Sequence, residues 1–320
     1  MNGLSTAINE ITLVLFTTLA PSGACAYVLM NLPVLFGNIS EDIRRRLNRF
    51  SCLPLVIAMI GLIASATHLG NPANALYVFT GIGRSPLSTE VFCAVIFLAL
   101  AGIYWLYSFA EVPRLKLQYA LVVITDISAV LFITATAYAY NVSTIPTWSL
   151  PLAPASLLLN ALVGGPVVAL FCFTAAARAN NSFLTRGSVS KEKSVTSRKK
   201  HAFSSKPSLI KPLHRKALLG LSTVALVVNI LVYALIGMQL SSISNELISA
   251  TELVPYYPLF VIAFAALATS GIIASFWFEK ATKRIPPLAS QGIAAALVLT
   301  AIFLMRFSFY MSHLTIGLGV

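Results

Sequence analysis

The chain has little charge: Asp, Glu, Lys and Arg make up 10% of its 320 residues, against about 25% in an ordinary soluble domain. With 58% hydrophobic residues, too few polar side chains remain to cover a water-exposed surface. Acidic groups are scarcer still, ten in all against 22 Lys and Arg. Cysteine is limited to Cys25, Cys52, Cys93 and Cys172. None of the four stands in a C-x-x-C pair, so neither a disulfide framework, a zinc finger nor an iron–sulfur ligand run is present in the sequence. Gly81, Gly83 and the Gly164-Gly165-Pro166 turn match no phosphate-binding fingerprint, which removes nucleotide-dependent classes.

Long apolar runs are what the chain has instead. Eight of them, near 10–36, 51–69, 91–110, 119–140, 154–177, 217–240, 257–278 and 292–312, each reach the roughly 20 residues that cross a bilayer. The expectation is an all-α, polytopic membrane protein, a bundle of eight transmembrane helices forming a single integral membrane domain over 1–320. Pro21 and Gly23 in the first run predict a kink there. No internal repeat between the first and last four runs is visible in the sequence.

Basic residues alternate between connections. Those after the first, third, fifth and seventh runs carry twenty Lys and Arg, those after the second, fourth and sixth carry one, and Arg306 lies inside the last run. By the positive-inside rule this places both termini outside. The rival reading, a cleaved signal with Ala24-Cys25-Ala26 at its end, lacks a positive n-region, since residues 1–10 hold Glu10 and no Lys or Arg. The 178–216 connection has eleven basic residues, eight Ser and a single acid, Glu192. That composition predicts a mobile basic cytoplasmic loop attracted to anionic headgroups. Aromatic interleaving is limited to Phe183 and Phe203, so nucleic acid is not an expected partner.

Ionisable groups within or bordering a bilayer are costly, and each is a functional candidate. His68 ends the second run and Glu90 opens the third, at the same outer boundary; Arg306 lies at comparable depth and Asp126 nearer the cytoplasmic side. A carboxylate and an imidazole at one boundary suit quinol oxidation, in which two hydroxyls each need a proton acceptor. The bland alternatives are an interfacial carboxylate, a capped helix end for His68, a helix–helix hydrogen bond for Asp126, and a carboxylate or carbonyl partner for Arg306. No metal site is expected. Haem would require facing imidazoles, and with His201 and His214 in the basic connection, only His68 and His313 remain, enough for one haem at most.

Two patches carry a resemblance. His68-Leu69-Gly70 with Asn71-Pro72 and Ala75-Leu76, then Pro86-Leu87-Ser88-Thr89-Glu90, resemble the second and third helices of the membrane anchor subunit of dimethyl sulfoxide reductase. Pro146-Thr147-Trp148 with Pro151, Pro154 and Gly164 is similar to that family's entry to its fifth helix. The resemblance implies an anchor that holds a molybdenum catalytic subunit and an iron–sulfur subunit on the outer face and feeds them electrons from menaquinol. It also implies no bound haem, with His68 and Glu90 at the quinol site. The family's usual arginine before the glutamate is Thr89 here; Arg84, six residues earlier, is the candidate substitute, and Arg306 a further quinol-binding candidate. The chain is then one subunit of an oxidoreductase complex whose terminal catalysis lies in a partner. The alternatives are an anchor of a selenate, tetrathionate or polysulfide reductase, a secondary transporter, and a structural tether with no quinol site.

Overall fold

In the computed structural model, residues 2–37, 39–68, 72–110, 112–188, 212–281 and 286–315 are described. They form eleven α-helices: α1 (Gly3–Asn9), α2 (Ile11–Phe36), α3 (Glu41–Phe50), α4 (Cys52–Thr67), α5 (Pro86–Tyr107), α6 (Leu115–Ala139), α7 (Leu152–Ser188), α8 (Pro212–Leu240), α9 (Ala250–Leu253), α10 (Tyr257–Ala281) and α11 (Pro287–Met311). Eight segments are long and apolar enough to span, with α3 and α4 together counting as one, Glu41–Thr67. Each corresponds to a run read from the sequence. The basic connection is shorter than the hydropathy boundary suggests, because α7 continues to Ser188 and α8 already begins at Pro212. Residues 189–211, including His201, lie outside the described residues, as do Leu69, Gly70 and Asn71 of the first motif.

Local sequence explains where the helices begin. Asn2 caps α1, its side chain accepting from the Leu4 amide at 3.1 Å. Ser85 caps α5, and Pro86 fills the first turn, where its missing N–H would have no partner in any case. The connection before α5, expected to be irregular, contains a 3-10 helix over Pro72–Gly81. It turns into α5 through Gly83, whose φ of 77° is one that side chains rarely adopt. Glu41 and Asp42 open α3 favourably for its dipole, and Arg45 reaches back to Glu41 at 2.5 Å.

The helix α2 runs unbroken through Pro21, and it is the most enclosed span, 78% buried, followed by α7 at 72%. Small residues allow this. A Cβ on Gly23 would lie 2.7 Å from the Ala58 nitrogen of α4, and one on Gly61 of α4 would lie 2.8 Å from the Ala20 nitrogen of α2. Backbones therefore touch, the usual way to pack helices where lipid provides no hydrophobic drive. Gly164 and Gly165 of α7 leave room for the side chains of Ser22 and Cys25 of α2.

The order of packing repeats. In the first half α2 packs on α4 and α6, α5 packs on α6, and α4 packs on α5; in the second, α7 packs on α8 and α11, α10 on α11, and α8 on α10. The halves meet through α2 and α7, flanked by α2 with α11 and α6 with α7, a pseudo-twofold arrangement. Both termini lie at one end of the bundle, where Gly3 abuts Leu253 and Met311. This end is called the terminal end below.

Candidate functional site at the terminal end

Glu90 sits one turn into α5, and its side chain enters the bundle, 1% exposed. Neither carboxylate oxygen has a hydrogen-bond partner. Thr136 of α6 is beside it, but the Thr136 hydroxyl donates to the Phe132 carbonyl at 3.0 Å. The cation within electrostatic reach is Arg306 of α11, itself 2% exposed. Its Nε donates to the Thr17 hydroxyl of α2 at 3.0 Å, while Nη2 has no partner. The guanidinium lies 4.1 Å from the Phe309 ring centroid, 5.5 Å from that of Tyr310 and 5.6 Å from that of Tyr140. The Tyr140 hydroxyl is also buried and unpartnered. Glu90, Arg306 and Tyr140, carried on three helices, thus share one aromatic-walled enclosure with polar atoms unused.

The second sequence patch closes this enclosure. The Thr147 hydroxyl donates to the Ser312 carbonyl, and Trp148 Nε1 donates to the Phe309 carbonyl at 3.0 Å. The Trp148 ring stacks on Phe309 at 5.0 Å. Patches more than fifty residues apart in sequence are therefore two walls of the same site: one supplies Glu90, the other secures the ring that faces Arg306.

His68 is at the same end but in a different environment. It is exposed, and its Nε2 lies 3.4 Å from Glu10 Oε2, at the junction of α1 and α2. Among the described residues no hydrogen bond or ion pair joins His68 to Glu90. Glu10 is also in electrostatic reach of His313, whose ring packs on Trp148 at 4.9 Å. Burial holds the His313 imidazole below its ordinary pKa, and the Glu10 carboxylate partly offsets this. Glu10 thus lies within reach of both histidines at the terminal end. Among the described residues no cluster of three or more His, Cys, Asp or Glu is suited to a metal ion.

Arg84 is exposed on the turn, and its amide bonds to the Gly81 carbonyl. Thr89 has a role of its own there: its hydroxyl accepts from the Gly83 amide at 3.3 Å and donates to the Ser85 carbonyl at 3.1 Å, bracing the turn above Glu90. Sequence reasoning missed Thr17, Tyr140 and Tyr310. The tyrosines end their spans where aromatic belts are common anyway, so their position carried no distinguishing signal. Asp126 is distant from this site and accepts from Asn31 Nδ2 at 2.6 Å, the helix–helix hydrogen bond expected for it.

The larger cavities lie elsewhere. One of about 320 Å³ runs between α8 and α10 beside Lys216 and Trp277, and one of about 280 Å³ lies between α2, α7 and α8 beside His214. The Glu90 enclosure is closed over its polar groups.

Comparison with known proteins agrees with the two patches and extends beyond them. The family model for the DMSO reductase anchor subunit matches residues 4–311. The C subunit of the anaerobic dimethyl sulfoxide reductase of Haemophilus influenzae is 26% identical over 317 residues, 99% of each protein. The C subunit of the Escherichia coli K12 enzyme is 24% identical over 314 residues, and the YnfH subunit of an anaerobic dimethyl sulfoxide reductase of the same organism 25% over 313, each covering 98% of both proteins. A match that runs from α1 to the end of α11 takes in every span and both walls of the enclosure, and the chain belongs to the DMSO reductase anchor subunit family.

Proposed function

We propose that the chain anchors a respiratory molybdoenzyme complex in the bacterial cytoplasmic membrane and oxidises menaquinol at its terminal end, which faces outward. Electrons pass to an iron–sulfur subunit, and from it to a molybdenum subunit that reduces dimethyl sulfoxide or a similar oxide. The observation that carries this reading is Glu90: a carboxylate enclosed by aromatic rings, with both oxygens unused and a buried guanidinium beside it.

A quinol is a flat aromatic ring with a hydroxyl at each edge, and these residues match that chemistry. Glu90 accepts the proton of one hydroxyl. Arg306 stabilises negative charge on a quinol oxygen as its proton leaves. Phe309, Tyr140 and Tyr310 offer ring faces to the quinol plane. Protons then pass to Glu10, His68 and His313 at the terminal end, where an exposed imidazole hands them to water. Clusters and molybdenum cofactor belong to the partner subunits, and this chain's part is to bind, orient and deprotonate the quinol.

The test is Glu90→Gln, which keeps the shape and loses the proton acceptor. With the complex still assembled, menaquinol-dependent turnover is expected to fall about 10²–10⁴-fold, the usual range for a positioned base. Parent-level turnover would refute the site. The repeated packing of the two halves is a trait shared with secondary transporters. Co-purification decides between them: a soluble partner carrying molybdenum and iron supports the anchor, and its absence from an intact preparation supports the transporter.

A further inference from the structure

A second buried polar group of atoms lies deeper in the first half, and the quinol reading makes no use of it. Asp126 of α6 is 8% exposed; one carboxylate oxygen accepts from Asn31 of α2, and the other has no partner. Around it, the Tyr27 hydroxyl beside Asn31 and Ser51, Gln118 Oε1 beside Tyr104, and Asn48 Nδ2 are also buried with no bond of good geometry, as is Arg44 Nε. Tyr104 links the group by donating to Asn48 Oδ1 at 2.7 Å. These residues come from α2, α3, α5 and α6 and converge at the end of the bundle opposite the termini, where Arg44 is partly exposed. Buried polar atoms are almost always bonded to protein or to ordered water. So many orphans leading from a half-exposed arginine to a carboxylate describe a column that water fills.

The column stops at a layer of rings. Along α5, Glu90, Phe97 and Tyr104 recur every seven residues on the inward face, about 10 Å apart in depth. On α6 the order is mirrored, with Thr136 near Glu90, then Phe132, then Asp126. Phe97 and Phe132 stack at 5.9 Å with their planes 9° apart; Phe16 lies 6.4 Å from Phe132, and Tyr27 closes edge-on against Phe97 at 5.6 Å. Phe16, Phe97 and Phe132 are each 2% exposed or less. Each helix thus places an apolar ring between its upper polar residue and its lower one.

We propose that Asp126 is the innermost member of a hydrated proton-binding pocket, open at the end opposite the termini and sealed from Glu90 by the rings of Phe97 and Phe132. A proton arriving through water along Arg44, Asn48 and Tyr104 binds the unpartnered Asp126 oxygen, while the other oxygen keeps its bond from Asn31. It returns by the same route. The proposal stands independently of the quinol reading, because its test involves no turnover.

The full-length protein in vesicles containing a pH-sensitive dye, under an imposed potassium diffusion potential, reports proton flow directly. The parent protein is expected to be as tight as protein-free vesicles. Phe132→Ala or Phe97→Ala is expected to raise proton flow severalfold, and adding Asp126→Asn to return it to the parent level. A leaking parent, a well-folded alanine pair that stays tight, or a leak that survives Asp126→Asn would overturn the proposal. Infrared spectroscopy of the parent covers the case in which the alanine variants do not fold. A carboxyl band lost in Asp126→Asn is expected to shift within seconds of transfer to heavy water, and a band that stays unexchanged for hours would exclude a hydrated pocket.

Discussion

Arg306 is the only basic residue inside the last span, and replacing it tests the enclosure as a unit. Arg306→Met keeps most of the volume and removes the charge. A hydrogen bond from a charged donor contributes about 1.5–3 kcal/mol, here the Nε bond to Thr17. A desolvated cation over an aromatic face contributes about 2 kcal/mol, here chiefly on Phe309 at 4.1 Å. These terms overlap, since the same guanidinium makes both. Thr17 is not orphaned by the change, because its hydroxyl already donates to the Leu13 carbonyl at 2.8 Å. Glu90, however, loses the cation within its electrostatic reach. The expected loss is therefore about 3 kcal/mol, read as a lower midpoint in thermal unfolding of the detergent-solubilised complex. Quinol oxidation is expected to fall in kcat and rise in KM together. Arg306→Lys, which keeps charge but not the planar face, is expected to recover the stability in part and the KM least. A methionine variant within about 0.5 kcal/mol of the parent, with unchanged KM, would refute the reasoning, because Arg306 would then hold neither Glu90 nor substrate.

Other consequences are simpler to read. Gly23→Leu is expected to force α2 from α4 and abolish stable insertion, since its Cβ would meet backbone atoms at 2.7 and 2.8 Å, whereas Gly102→Ala, with nothing within 4 Å, is expected to be neutral or slightly stabilising; equal monodispersity of both variants in detergent would contradict the packing. His313 favours its neutral form in the folded protein, so the terminal end is expected to lose stability as pH falls through the ordinary histidine value near 6.5. Because protonated imidazole quenches a neighbouring indole, Trp148 emission should drop with a midpoint below 6.5, and a midpoint at or above it, or one surviving His313→Gln, would contradict the burial. On the sidedness expected from charge, a cysteine replacing Pro146 should react with an impermeant reagent added to cells and one replacing Val195 should be protected; the reverse would invert the membrane orientation.

Much of the fold was legible because the bilayer restricts what a polypeptide can do. Spans follow from run length alone, as every backbone group in the hydrocarbon must be satisfied within its own helix. The pseudo-twofold packing was not legible. It is carried by where small residues let helices approach closely, such as Gly23 on the Ala58 backbone and Gly164 on the Ser22 side chain, and not by a repeated motif. Thr89 illustrates the same limit at the site: as a letter it is a missing arginine, while in three dimensions it braces the Gly83 turn. The 3-10 helix before α5 also escaped, since its apolar residues have neither helical nor strand periodicity.

The sequence by itself determined the class, the eight crossings, the sidedness expected from charge, and the depth of Glu90, Asp126 and Arg306, because each depends on position along a helix of known rise. Lateral neighbours were decided by tertiary structure alone. Four spans separate Glu90 and Arg306 in the chain, yet α11 packs on α2 and brings the guanidinium toward α5 and α6. His68, at the same depth, is turned outward to Glu10 instead. Depth is a one-dimensional quantity that hydropathy records; which face of a helix meets which neighbour depends on close packing of side chains from the whole bundle, and no single segment contains it.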